Sequence, residues 1–131
     1  MSYLFYNLNH LIFLDLSNFD TLDVTNMEYM FANCYELSSL NLSNFTTFNV
    51  TNMRGMFSNC YELSSLNLSS FTTNNVIRMD YMFSNCINIT SLNLSHFNIS
   101  FVNNINNIFE KCEKLISLDI QLFILFKFSM A

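Results

Sequence analysis

Apolar positions recur along this chain at one fixed interval. Leu14, Leu40, Leu66, Leu92 and Leu118 stand 26 residues apart, as do Phe19, Phe45, Phe71, Phe97 and Phe123, and Cys34, Cys60, Cys86 and Cys112. The segment CYELSSLNLS runs unchanged from Cys34 to Ser43 and again from Cys60 to Ser69, so these are copies of one unit. A period of this length marks stacked supersecondary units, none of which can bury its apolar face alone. Full units cover 34–59, 60–85 and 86–111, with a partial unit over 1–33 and another over 112–131, all in a single repeat domain over 1–131.

Two shorter periods lie inside each unit. Leu40-Asn41-Leu42 alternates apolar and polar, as do Leu66-Asn67-Leu68 and Leu92-Asn93-Leu94, which predicts short strands over 39–43 and the equivalent segments. Met27, Met30, Phe31 and Cys34 then fall at i, i+3, i+4 and i+7, the spacing of one helix face, and Met53, Met56, Phe57 and Cys60 repeat it. Thr25 with Glu28 three residues on reads as a capping box for that helix. The expected fold class is therefore α/β: a solenoid of about five 26-residue strand-plus-helix repeats, with a parallel sheet on one side. Leu37, Leu40, Leu42, Phe45, Val50, Met53, Met56, Phe57 and Cys60 form its inward ladder.

Composition narrows the function. Charged residues make up 11% of the chain, the net charge is −5 and Lys plus Arg number 5, which disfavours nucleic acid as a partner. With no proline and one glycine, Gly55, turns fall to Asn, Asp, Ser and Thr. No run of about 18 apolar residues is present to span a bilayer, and the apolar start of the chain has no basic region or small-residue cleavage site of a signal peptide.

The pattern NVTNMxxMFxNCxxLxSLNLSxF, as it stands from Asn49 to Phe71, resembles the BspA-like leucine-rich-repeat surface proteins, and especially the repeat domain typical of mycoplasmal lipoproteins. That resemblance implies an α/β leucine-rich-repeat-type solenoid, a repeat array displayed on a cell surface or secreted, used for adhesion or host-protein contact, and it supplies no catalytic residues.

Chemistry-bearing side chains are sparse. Cysteines 26 residues apart lack the close pairs of a zinc site, and they read as buried thiols in preference to disulfides or metal ligands. His10 and His96 have no partnered nucleophile, and no phosphate loop or carboxylate pair is visible, so neither an enzyme nor a cofactor is expected. The leading function is a non-catalytic protein-interaction scaffold. Its expected binding surface is the outward strand face of Ser39, Asn41, Ser43, Ser65, Asn67, Ser69, Ser91, Asn93 and Ser95, and its ligand a protein or a glycan. The alternative is a structural fragment of a longer array, associating end to end with further repeats through apolar ends at Leu4, Phe5, Leu122, Phe126 and Phe128.

Overall fold

The computed structural model describes residues 1–120; Leu122, Phe123, Phe126 and Phe128 lie outside them. Among the described residues there is no helix, and the strands are β1 (Phe13–Asp15), β2 (Ser39–Asn41), β3 (Ser91–Leu94) and β4 (Ser117–Ile120). β1 pairs with β2 and β3 with β4, both parallel, in two 2-stranded sheets. The strand-plus-helix leucine-rich-repeat solenoid expected from the sequence is thereby overturned. Leu66-Asn67-Leu68 forms no strand, although its sequence is identical to that of the β2 segment, so nothing in the local sequence accounts for the break.

The 26-residue register itself is plain in the packing. Parallel bridges join Asn26 to Asn52, Asn52 to Arg78 and Arg78 to Asn104. Phe5, Phe31, Phe57 and Phe83 stack face to face with centroids 5.5, 5.5 and 5.8 Å apart, and Phe109 follows Phe83 at 5.9 Å. Offset stacking of this kind adds to the apolar burial of the rings. Met27, Met30, Phe31, Cys34 and their equivalents in the next two units are buried, in one continuous core with Leu37, Leu42, Phe45 and Val50, whereas Ile105, Phe109 and Cys112 of the last unit are partly buried against it.

Hydrogen bonding explains why that apolar spacing did not make a helix. The N–H groups of Met27, Tyr29, Phe31 and Asn33 donate to the carbonyls of Asn52, Arg54, Met56 and Ser58 in the next unit, at 2.8–2.9 Å. Those of Met30, Ala32 and Cys34 instead close turns onto the residue three before. Each segment is therefore a run of three overlapping turns, cross-linked to its neighbours along the stack. Tyr29 and Asn33 take left-handed backbone (φ 50° and 62°), which interrupts any right-handed helix. The expected capping box fails with the helix: Asn26 Oδ1, not Thr25, accepts the Glu28 N–H at 2.8 Å.

Polar ladders run beside the apolar one. Asn33, Asn59 and Asn85 all sit at φ 60–62°, a conformation asparagine tolerates. Asn59 Nδ2 donates to Asn33 Oδ1, and Asn85 Nδ2 to Asn59 Oδ1, each at 2.7 Å. Thr47 Oγ1 donates to the Thr72 carbonyl at 2.7 Å and accepts the Thr72 N–H at 2.8 Å, and Thr21 and Thr73 do the same one unit to either side.

All four cysteines are free, and each thiol donates to the carbonyl of a phenylalanine in the preceding unit: Cys34 to Phe5, Cys60 to Phe31, Cys86 to Phe57 and Cys112 to Phe83, at 3.1–3.2 Å. Burial raises all four thiols above their ordinary value, Cys112 to about 11. The unfolded chain loses these protons near pH 9.0 while the folded chain keeps them, so their contribution is complete below about pH 9 and lost as pH climbs through the folded values. A urea midpoint lower at about pH 10 than at about pH 8 is the expected result; an unchanged midpoint would contradict it.

Candidate functional site

These linked turns project their outward side chains onto one surface of the stack. Position by position in the repeat, Glu28, Arg54 and Asp80 align, and so do Tyr3, Tyr29, Gly55 and Tyr81. All of the second series have left-handed backbone, with φ between 50° and 60°. That conformation costs a bulky residue roughly 1–2 kcal/mol and glycine almost nothing.

Gly55 shapes the surface. A Cβ there would lie 2.1 Å from Tyr29 Cε1, because the Tyr29 ring rests directly on the glycine backbone. The ring is thereby brought beside Arg54, whose Cζ sits 5.5 Å from the Tyr29 centroid and 6.0 Å from that of Tyr81. Tyr3 packs against Tyr29 at 5.4 Å and against Tyr6 at 5.2 Å, extending the aromatic wall. Between these rings lies an open groove of about 520 Å³, with Asn33, Ser58 and Asn59 along its side.

Arg54 is held from below. Its Nε lies 3.0 Å from Oδ2 of Asp80, within ion-pair range but without hydrogen-bond alignment, and its Nη1 is 3.7 Å from Glu28. Arg78 grips the same Asp80 with two hydrogen bonds, Nε to Oδ1 at 3.1 Å and Nη2 to Oδ2 at 2.8 Å. Asp80 is 2% exposed, whereas both arginines keep about a third of their side chains in solvent. The buried carboxylate thus anchors two cations whose outer edges face the surface. Desolvation in this wall raises the Tyr29 phenol above its ordinary value, with the Arg54 charge opposing the shift.

Substituting Gly55 by alanine should push the Tyr29 ring off its seat and place a side chain in left-handed backbone. The expected cost is about 1 kcal/mol, together with a changed tyrosine signal in near-ultraviolet circular dichroism. An unaltered tyrosine signal would contradict the seating of the ring.

The residues expected from the sequence to bind sit elsewhere, on the strand side. Ser39 and Asn41 lie on β2 and Ser91 and Asn93 on β3; Ser65, Asn67 and Ser69 lie on the segment that forms no strand, and Ser43 and Ser95 just beyond their strands. All nine are exposed except Asn41, which is half-buried. The asparagines have a structural duty there: Asn41, Asn67 and Asn93 Oδ1 accept the N–H of Ser43, Ser69 and Ser95 at 3.0–3.1 Å, closing the turn after each segment. His10 and His96 are apart, His10 against Glu36 and His96 against the Leu68 carbonyl. Among the described residues no group of three His, Cys, Asp or Glu is placed to hold a metal ion, and no helix is long and apolar enough to cross a membrane.

The sequence pattern placed Glu28 in a capping box, a reading that gave no sign of the groove. A signal was present: in a chain of near-copies, the repeat positions at 28, 54 and 80 change charge from unit to unit, and the lone glycine interrupts a tyrosine series. Variation against a repeating background is where a surface is built, because the ladder positions are tied to their neighbours.

A family model described as Mycoplasma protein of unknown function, DUF285, matches residues 1–123. The chain belongs to this family. No curated protein and no solved structure matches the chain. Membership of DUF285 accounts for the repeat over nearly the whole sequence and carries no activity with it.

Proposed function

We propose that this DUF285 chain is a non-catalytic interaction scaffold of adhesin type, displayed on a cell surface, with the tyrosine–arginine groove as its contact site. The observation that carries this reading is Arg54, held by buried Asp80 between the rings of Tyr29 and Tyr81 at the surface. Tyr and Arg dominate the energetic centres of protein interfaces, since each combines a large contact area with directional polar groups. Fixing Arg54 beforehand lowers the ordering cost of binding. Surface display rests on the likeness of the repeat motif to the BspA-like surface proteins.

Binding of the purified chain to cultured epithelial cells, followed by flow cytometry, tests the assignment. Tyr81→Ala should lower binding at least tenfold with the far-ultraviolet circular dichroism unchanged, whereas Asn67→Lys and Asn93→Lys on the strand side should keep it. The reverse pattern would return the site to the Ser-Asn-Ser face, and a wild-type chain that binds no cells would sink the adhesin reading.

A further inference from the structure

Resting on that reading of the groove, we infer that its ligand is an uncharged glycan, recognised by tyrosine faces and asparagine amides. The charges of the site argue against the other classes. An ammonium ligand would need the aromatic faces that form a cation site, but Arg54 already stands against Tyr29 and Tyr81 at 5.5 and 6.0 Å. An anionic ligand would need an unbalanced cation. Arg54 and Arg78 are instead matched by Asp80 and Glu28 at 2.8–3.7 Å, two positive charges against two negative. An acid group entering here would compete with a carboxylate already buried in place. A purely aliphatic ligand fares no better, because covering Asn33, Asn59 and the tyrosine hydroxyls would strip them of water without replacement.

An uncharged sugar meets each of these conditions. Its C–H faces pack on the exposed rings of Tyr3 and Tyr6, and its hydroxyls both donate and accept. The amides are set for it: Asn59 Nδ2 donates to Asn33 Oδ1 at 2.7 Å and Asn33 Nδ2 to the Tyr6 hydroxyl at 3.1 Å, which fixes their orientation. A primary amide carries two N–H donors, and this chain engages one per residue, leaving a second in a defined direction. Guanidinium N–H groups of Arg54 on the exposed edge add donors whose charge is already compensated. The volume of about 520 Å³ falls within the range of sites that take small ligands of several rings.

The test treats the target cells instead of guessing the sugar. Mild periodate oxidation, which cleaves vicinal diols, should lower wild-type binding at least tenfold, while sialidase and heparitinase, which remove anionic sugars, should leave it unchanged. Tyr81→Ala and Tyr3→Ala should each bind untreated cells at least tenfold more weakly. Binding that survives periodate, while still falling in the tyrosine variants, would overturn the glycan and keep the groove. Loss on sialidase or heparitinase would overturn the uncharged class. Tyrosine variants that fold, shown by an unchanged melting temperature, and bind as wild type would overturn the groove and the glycan together.

Discussion

Replacing Phe57 by alanine is expected to lower the melting temperature by roughly 10–20 °C. Phe57 is fully buried at the middle of the aromatic column, with Phe31 at 5.5 Å on one side and Phe83 at 5.8 Å on the other. Its loss removes both stacks and leaves a void between units that cannot close, because each unit is pinned to the next by backbone bonds such as Phe57 N–H to the Met82 carbonyl at 2.9 Å. Phe-to-Ala truncations in rigid cores cost about 3–5 kcal/mol, and this site belongs at the upper part of that range. Phe5, at the partly buried start of the same column, provides the contrast: Phe5→Ala should cost less than half as much. Equal losses in thermal melts of the two variants would show that the column is not the axis of the core.

Asn59 carries the second large effect, and its two causes are separable. The residue holds left-handed backbone at φ 62° and joins two amide hydrogen bonds of 2.7 Å, donating to Asn33 and accepting from Asn85. Asn59→Ala loses both, and should cost about 2–4 kcal/mol: roughly 1 for the backbone and about 1 for each hydrogen bond. Asn59→Gly keeps the backbone unstrained and loses only the amides, so it should recover about 1 kcal/mol of that. The measurement is the pair of urea midpoints. If alanine and glycine were equally destabilising, the left-handed turn would not be what the asparagine is there to stabilise.

These two residues also show where sequence reasoning succeeded and where it ran out. Phe57, Met53, Met56 and Cys60 were legible as inward positions because burial leaves a mark on residue type, and the structure buries all four completely. Conformation was not legible. Over eight residues, a helix of 3.6 residues per turn and a run of three overlapping four-residue turns both leave Met27, Met30, Phe31 and Cys34 on the buried side. Asparagine at 33, 59 and 85 was the clue to the turns, since it accepts the left-handed region that a helix excludes. The groove was hidden for a different reason: Glu28, Arg54 and Asp80 are distant in sequence and become one ion cluster only when the units stack.

The amino-acid sequence by itself determined the repeat, its 26-residue register and which side chains face inward, because each of these depends on the identity of residues at a fixed spacing. Tertiary structure alone decided the path of the backbone between them and the existence of the site. A peptide N–H at Tyr29 can close a helix within its own segment or donate to the carbonyl of Arg54 in the next, and only the neighbouring unit, by offering that carbonyl at 2.8 Å, settles the choice. The same stacking sets Tyr29 on Gly55 and Arg54 over Asp80, contacts between units that no single copy of the repeat contains.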